Sequence, residues 1–264
     1  MPEGPEVRCI ADQLRCLVGC TIQQITMAGN ARTEIQHTLT VPDTITAIMS
    51  YGKKLLIYTQ QQLFIVSLGM TGRFVIITDK VYPKHSKVFW YLNNDSTLVF
   101  EDSRGFGKVS LYATTITPAQ LDLGPDVLAL ALTQSFTCQL LYQQLMKKKS
   151  MKIVSALLEQ NLLTGIGNYL RSEILYYAAI HPYRKIDSLN NEEWLRLHKS
   201  ICDVITAAYS CNGLTIQDYI SPDGKFGVYQ CAVYQKQLDP YGNQVVQEKH
   251  VGRSIFYVPR FQVL

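Results

Sequence analysis

The spacing of apolar residues changes partway along this chain of 264 residues, and that change limits the folds it can adopt. Residues 54–112 contain six short runs rich in β-branched and aromatic residues, separated by turn signals such as Asn93-Asn94-Asp95. This pattern is typical of antiparallel strands arranged in two sheets or a flattened barrel. Before them, apolar residues three and four positions apart over residues 7–17 predict an N-terminal helix.

Helical spacing replaces the strand pattern after Leu123-Gly124-Pro125-Asp126, which has the composition of a linker. The spacing predicts four helices, at about 133–148, 152–160, 169–179 and 192–209. Residues 226–264 return to strand character and predict a hairpin around Gly242-Asn243. The sequence therefore predicts an α+β fold with an antiparallel β-sandwich domain over 1–124, a helical domain over 130–222, and a β-hairpin over 223–264 packed on the helical domain.

Composition excludes several classes of protein. Hydrophobic residues make up 47% and charged residues 17% of the chain, which is typical of globular proteins rather than disordered ones. No apolar run is long enough for a membrane helix, and the N-terminus lacks the pattern of a secretory signal. Seven scattered cysteines indicate reduced thiols and an intracellular protein, in the cytoplasm and nucleoid if it is bacterial. The whole net charge of +4 lies beyond residue 130, which is compatible with a phosphate-binding surface there.

The first residues offer a nucleophile. Pro2 is small, which favours removal of Met1 and would leave a secondary amine at the N-terminus. Such an amine is less basic than a lysine side chain and can attack a carbonyl carbon at neutral pH. Glu3, beside it, could supply or remove a proton. An ordinary terminus with a helix-capping glutamate is the alternative interpretation.

The opening MPEGPEVR resembles the start of the formamidopyrimidine-DNA glycosylase and endonuclease VIII family of base-excision repair enzymes. Eight further segments that resemble this family follow in order: GKKLLI (52–57), LGMTGRF (68–74), EDSRGFG (101–107), LGPDVL (123–128), LLEQNLLTGIGNYLRSEIL (157–175), HP (181–182), PDGKFG (222–227) and VGRSIFYVPRFQ (251–262). Because the resemblance spans nearly the whole chain, it implies the fold and chemistry of that family.

The resemblance implies four catalytic residues. Pro2 matches the nucleophile that forms a Schiff base with C1′ of the damaged nucleotide, and Glu3 matches the general acid/base. Glu6 matches another acidic position of the N-terminal motif, and Lys53 matches a hairpin lysine that contacts a phosphate near the lesion. Lys54 follows directly, and strand alternation predicts that the two lysines point to opposite faces.

The resemblance also implies residues that fill the gap left by an extruded base. Met70, Arg104 and Phe106 match the family's wedge residues, because an apolar side chain can enter between bases and a guanidinium can pair with the orphaned base. Two positions depart from the usual pattern: Ser67 replaces a histidine, and Gly105 replaces a second basic residue. We expect both changes to leave the wedge intact.

Residues 157–175 resemble the family's helix–two-turns–helix motif, in which Gly167 and Asn168 approach DNA phosphates. Arg253 matches an arginine of the C-terminal hairpin that binds phosphates flanking the lesion. A lysine cluster precedes the motif and could be either a solvated helix end or a DNA contact: Lys147, Lys148, Lys149 and Lys152.

Most bacterial relatives end in a zinc finger with four cysteines. The matching positions here are about Tyr241, Gln244, Val258 and Phe261, a set that cannot supply the ligands of a structural zinc site. We therefore expect a zincless finger held by packing of Val, Phe and Tyr side chains, with no metal and no cofactor.

These observations predict a monomeric glycosylase and abasic-site lyase that acts on damaged DNA, with duplex as the expected substrate and β,δ-elimination as the cleavage route. The resemblance favours the endonuclease VIII branch, and oxidised pyrimidines as substrates, on two grounds. The segment GNYLRSEIL is closer to that branch, and Val154 stands where formamidopyrimidine enzymes carry a lysine. Two alternatives remain. One is a catalytically idle relative that only binds lesions or bent DNA, and the other is an N-terminal-proline enzyme acting on small carbonyl compounds.

Overall fold

The computed structural model describes residues 2–214 and 227–264, and within them the chain forms two compact units. The first unit contains residues 2–121, and the second contains Asp122–Leu214 and Tyr229–Leu264. Most of the PDGKFG motif and the expected domain boundary at 222/223 lie outside the described residues. No helix in the described ranges is both long and apolar enough to span a membrane.

The first unit combines one helix with nine strands. Its elements are α1 (Gly4–Leu14), a 3₁₀ turn (Arg15–Leu17), β1 (Thr21–Met27), β2 (Thr33–Ile35), β3 (Asp43–Tyr51), β4 (Lys54–Thr59), β5 (Leu63–Ser67), β6 (Arg73–Ile77), β7 (Ser86–Leu92), β8 (Thr97–Glu101), β9 (Lys108–Tyr112) and a 3₁₀ turn (Ala119–Leu121). The predicted N-terminal helix is present. It has Pro5 in its first turn, where the missing N–H costs nothing, and it packs its apolar face against β3 and β4.

The strands follow the order β2-β9-β5-β4-β3-β1-β7-β8-β6, and every neighbouring pair is antiparallel except β2 and β9. Strands β1 and β3 are joined by only two residue pairs, Thr21 with Thr44 and Ile22 with Asp43. The nine-stranded sheet therefore divides at this point into two layers. One core serves both layers and the helix, and it includes Trp90, which is completely buried. The predicted β-sandwich is therefore confirmed, with one parallel pair that strand pattern alone did not indicate.

The second unit is helical and ends in a hairpin. Its elements are α2 (Val127–Leu132), α3 (Cys138–Leu145), a 3₁₀ turn (Met146–Lys148), α4 (Ile153–Ala156), α5 (Asn168–Tyr177), a 3₁₀ turn (Ile186–Ser188), α6 (Asn191–Ser210), β10 (Val246–His250) and β11 (Arg253–Tyr257). The α+β class, with its helical domain and C-terminal hairpin, is confirmed.

Helix boundaries differ from the expected ones because side-chain caps divide the pattern. The Asp126 carboxylate accepts a hydrogen bond from the backbone N–H of Ala129 and starts α2, which sequence spacing did not predict. The Thr137 hydroxyl accepts one from the N–H of Leu140, so α3 starts at Cys138 instead of 133. The predicted helix at 152–160 ends after a single turn.

The turn of the C-terminal hairpin is not at Gly242-Asn243, where the sequence predicted it. Strands β10 and β11 are joined by Val251 and Gly252, both with positive φ, as a tight hairpin turn requires. The earlier turn is instead closed by the Asp239 carboxylate, which accepts hydrogen bonds from the backbone N–H groups of Tyr241 and Asn243. The Asp239 side chain thus takes backbone N–H donors that a pair of strands would otherwise use. The two sides of this turn are joined by one isolated β-bridge, between Leu238 and Gln244.

Candidate active site and nucleic-acid interface

The N-terminal motif forms a compact arrangement at the start of α1. The Glu6 carboxylate accepts a hydrogen bond from the backbone N–H of Glu3 at 2.8 Å, and both side chains are buried. Glu3 is the N-cap residue of α1, so Pro2 directly precedes the positive end of the helix dipole. The Glu6 carboxylate therefore fixes the backbone of Glu3, the residue that directly follows Pro2.

Lys53 lies in the two-residue turn between β3 and β4, with Gly52 at φ 54°. It is therefore not a strand residue, and the alternation expected between Lys53 and Lys54 does not apply. Lys54 is the first residue of β4, and its ammonium donates a hydrogen bond to the Ser67 hydroxyl at 2.5 Å. Helix α1 packs on the same hairpin, which connects the N-terminal motif to the strands that flank Lys53.

The three wedge residues lie on two loops that touch through glycines. A Cβ atom added to Gly69, which has φ 65°, would lie 2.7 Å from the backbone of Phe106 and Gly107, so only glycine permits this approach. Met70 follows Gly69 directly. On the other loop Phe106 is 50% exposed, and the Arg104 guanidinium stands 5.2 Å from its ring centroid. The structure thus brings together the residues that sequence motifs placed 34–36 positions apart.

Asp102 connects these two loops, a role that the sequence motifs did not indicate. Its buried carboxylate accepts hydrogen bonds from the Thr71 hydroxyl at 2.6 Å and the Gly107 N–H at 2.6 Å. It also accepts one from the N–H of Arg104 at 3.2 Å. The motifs LGMTGRF and EDSRGFG contain these residues, but nothing in their residue order indicates that one carboxylate bridges both loops.

In the second unit, Gln160 shapes the loop before α5. Its side-chain amide donates to the carbonyls of Leu158 and Ile166 and accepts from the N–H of Gly165, which has φ 106°. Gly167 is the N-cap residue of α5, and its backbone carbonyl accepts from the N–H of Arg171. The loop is therefore held from inside by the Gln160 side chain, and both of its glycines are buried.

A buried arginine joins the helix–two-turns–helix motif to the hairpin. The Arg171 guanidinium donates to the side-chain carbonyl of Asn168 at 2.8 Å and to the backbone carbonyl of Ser254 at 3.2 Å. It also donates to the carbonyl of Val154 at 3.0 Å. Since Ser254 directly follows Arg253, this contact brings together Asn168 and Arg253, two predicted phosphate contacts. The Asn168 side-chain oxygen is thus engaged as an acceptor, and the group that this side chain can donate from is its amide nitrogen.

The hairpin region is fastened to α5 by a second buried charge. Glu173 is completely buried, and its carboxylate accepts hydrogen bonds from three successive backbone N–H groups, those of Ala232, Val233 and Tyr234, at 2.7–3.0 Å. Burial raises the pKa of Glu173, while the three N–H donors favour its ionised form. This carboxylate therefore accepts the hydrogen bonds of backbone N–H groups that lie outside any helix or strand.

Apolar packing occupies two of the four positions that the resemblance matches to zinc ligands. Val258 is buried and Phe261 packs its ring 5.3 Å from that of Tyr176, in a cluster that also includes Val245 and Phe256. The other two positions, Tyr241 and Gln244, are exposed. In the described part of the chain, no group of three or more His, Cys, Asp or Glu side chains could hold a metal ion. These residues do not fit a structural zinc ion.

Both units match known families. Residues 1–109 match the Formamidopyrimidine-DNA glycosylase N-terminal domain, and residues 123–219 match the Formamidopyrimidine-DNA glycosylase H2TH domain. A Rickettsia conorii protein named formamidopyrimidine-DNA glycosylase is 31% identical over 276 residues, which cover 97% of each chain. One of the same name from Desulforamulus reducens is 33% identical over 216 residues, 78% of this chain and 76% of its own.

Solved structures agree with the sequence matches. The crystal structure of MutM (Fpg) from Thermus thermophilus has a TM-score of 0.88 at 31% identity, covering 99% of this chain and 98% of its own. Lactococcus lactis Fpg in complex with DNA containing an abasic site has a TM-score of 0.85 at 27% identity, covering 99% and 100%.

The sandwich, the helix–two-turns–helix unit and these matches define a DNA glycosylase of base-excision repair. The chain belongs to the formamidopyrimidine-DNA glycosylase family, whose members combine glycosylase and abasic-site lyase activities. The resemblance inferred from the sequence motifs is confirmed at the level of this family.

Proposed function

We propose that this chain removes oxidised bases, pyrimidines in preference, from duplex DNA and then cuts the strand by β,δ-elimination. The observation that carries the proposal is the N-terminal arrangement: Pro2 precedes a helix start held by the Glu3–Glu6 hydrogen bond. We further propose that it acts as a monomer and works in the cytoplasm at the nucleoid, as suits a repair enzyme whose named relatives are bacterial.

Removal of Met1 would expose the secondary amine of Pro2. Its lone pair attacks C1′ of the damaged nucleotide and the bond from C1′ to the base breaks, so the base leaves with that electron pair and takes up the proton that the Pro2 nitrogen loses. Glu3 then donates a proton to the ring oxygen O4′ as the C1′–O4′ bond opens, which joins the Pro2 nitrogen and C1′ as an iminium ion. The resulting iminium ion carries a fixed positive charge and withdraws electrons from C2′. Loss of a C2′ proton then expels the 3′ phosphate, and a second elimination expels the 5′ phosphate.

The remaining site residues are assigned to holding the opened duplex. Met70, Arg104 and Phe106 would fill the gap left by the extruded nucleotide, because together they present an apolar wedge with a cation against it. Lys53, Asn168, Gly167 and Arg253 would bind phosphates.

Support for a pyrimidine preference comes from Val154. The resemblance matches Val154 to a lysine of the formamidopyrimidine branch, whereas here the side chain is a buried valine whose backbone carbonyl accepts a hydrogen bond from Arg171. No amine is available at this position to contact a purine lesion. The alternative, an idle relative that only binds lesions or bent DNA, would have no use for the arrangement of Pro2 and Glu3.

Borohydride trapping tests the proposal. The protein is incubated with duplexes containing thymine glycol, dihydrouracil, 8-oxoguanine or an abasic site, and reduced covalent complexes are scored on a denaturing gel. We expect trapping on the abasic site and on both pyrimidine lesions, with less on 8-oxoguanine. Equal or greater trapping on 8-oxoguanine would contradict the pyrimidine preference alone. Absence of trapping on all four, with Met1 shown to be removed, would favour the idle relative.

Asp102→Ala should disconnect the two wedge loops. Its carboxylate serves three donors, so its loss leaves both loops to be ordered when DNA binds. We expect affinity for a duplex containing a tetrahydrofuran abasic analogue to fall by about 10-fold or more, from the cost of ordering side chains and loops at an interface. Fluorescence anisotropy measures this, with exposed Ser103→Ala as the control. Unchanged affinity in Asp102→Ala would show that the loops do not depend on this carboxylate.

We propose that the finger contains no zinc, because the buried Val258 and the Phe261–Tyr176 contact take the place of metal ligands. Purified protein should contain less than stoichiometric zinc by elemental analysis, and EDTA should change neither its melting temperature nor its affinity for abasic DNA. Structural zinc contributes folding energy directly, so a drop in melting temperature with EDTA would contradict the proposal.

A further inference from the structure

Three polar side chains form a rung across neighbouring strands of the first unit. Lys54 on β4 pairs in register with Ser67 on β5, and Ser67 pairs with Lys108 on β9. Side chains at paired positions lie on the same face of a sheet, and the hydrogen bond from the Lys54 ammonium to the Ser67 hydroxyl reflects this. We name Lys54, Ser67 and Lys108 the lysine rung.

The charge on the lysine rung is only partly balanced. Lys108 forms an ion pair with Glu34, but within the described ranges no carboxylate lies within ion-pair distance of Lys54. Burial, and then the neighbouring Lys108 ammonium, lower the pKa of Lys54. One serine hydroxyl satisfies only one of the three N–H donors of an ammonium group. The rung therefore lacks negative charge at Lys54.

The rest of this face shows that a lysine is not needed for packing. The next residues on the same face of β4 and β5, Leu56 and Ile65, belong to an apolar cluster with Leu63. An apolar side chain at position 54 would extend that cluster without the cost of a half-buried charge. A ligand that brings negative charge would offset that cost.

The position of the lysine rung indicates what that ligand is. Ser67 is the last residue of β5 and precedes the loop that carries Met70. Lys108 is the first residue of β9 and follows the loop that carries Phe106. The rung thus lies at the base of both wedge loops, beside the turn that holds Lys53.

We propose that the lysine rung binds a backbone phosphate of the DNA strand, as a contact additional to that of Lys53. Lys54 donates to the phosphate oxygens while Ser67 holds its ammonium in place, and the ion pair with Glu34 fixes Lys108 beside them. The contact rests on the proposed DNA-repair function, because it requires a nucleic acid held against the wedge loops.

The test compares wild type with Lys54→Met, which keeps the length of the side chain and removes the charge. Affinity for a tetrahydrofuran-containing duplex is measured over a range of salt concentrations. Each phosphate contact contributes about 0.9 to the slope of log affinity against log salt, so we expect the slope of Lys54→Met to be shallower by about that amount. The exposed lysine variant Lys84→Met should leave the slope unchanged.

A second measurement locates the phosphate. Single uncharged methylphosphonate linkages are placed in turn on either side of the lesion. For wild type we expect one linkage whose neutralisation weakens binding by about 10-fold, as for a charge-assisted contact, and that sensitivity should disappear in Lys54→Met. The linkage should differ from the one to which Lys53→Met becomes insensitive.

The outcomes separate this proposal from the function on which it rests. If wild type binds the duplex but Lys54→Met keeps the wild-type slope and the wild-type response to every linkage, the lysine rung is not a phosphate site. A loss of melting temperature in Lys54→Met with an unchanged slope would assign Lys54 a structural role instead. If wild type itself neither binds nor traps on DNA, the proposed function fails first.

Discussion

Pro2→Gly is expected to reduce borohydride trapping on an abasic-site duplex by at least about 100-fold, as removal of a covalent nucleophile should. Glycine still offers a primary amine, but its Schiff base is neutral until protonated, whereas a proline iminium carries its positive charge permanently. Glycine also lacks the ring that fixes the backbone leading into Glu3. Trapping yield on a denaturing gel measures the effect, and mass spectrometry verifies that Met1 has been removed from both proteins.

Glu3→Gln provides the matched control for this experiment. It retains the amine and the start of α1 but cannot transfer a proton. An abasic site has no base to expel, so Glu3→Gln should trap there more efficiently than on thymine glycol, where general acid catalysis is worth about 100-fold or more. Trapping by Pro2→Gly at the wild-type level would show that neither the proline ring nor the permanent charge of its iminium is needed for the covalent step.

Glu173→Ala is expected to destabilise the second unit by at least about 3 kcal/mol, since it leaves two buried backbone N–H groups and one part-buried N–H group without their acceptor. Those donors belong to the segment that enters the hairpin region, so the variant should also loosen the hairpin that carries Arg253. Urea unfolding followed by circular dichroism measures the change in free energy. Glu159→Ala, at an exposed position of the same motif, should change stability by less than about 0.5 kcal/mol.

Glu173→Gln refines this prediction. Glutamine has nearly the same shape but only one acceptor oxygen, and its amide group would face N–H donors. Its stability should therefore lie between those of wild type and Glu173→Ala. Equal stability of Glu173→Ala and wild type would mean that solvent or a backbone rearrangement satisfies these donors. The Glu173 carboxylate would then not be what holds the hairpin region against α5.

The features that could be predicted from the sequence were those that depend on residues close together along the chain. The change of hydrophobic period along the chain indicated a strand-rich unit followed by a helical one, because side-chain period reflects local geometry. The motifs MPEGPEVR, LGMTGRF, EDSRGFG and LLEQNLLTGIGNYLRSEIL indicated the family. The lack of cysteines at the four matching positions predicts a finger without zinc, and this stays a prediction. Helix ends were less accurate, because Asp126 and Thr137 act through single hydrogen bonds to nearby N–H groups.

Only the tertiary structure decided which side chains hold the functional residues in place. Asp102 joins loops that start more than 30 residues apart, and Arg171 reaches from α5 to Ser254 across 83 positions. Lys54 faces Ser67 and Lys108 because three strands pair in one particular register. Such contacts depend on long-range packing, and no local period records them. The sequence by itself thus determined the family and the chemical groups, while the fold determined the buried hydrogen bonds and charges that position them.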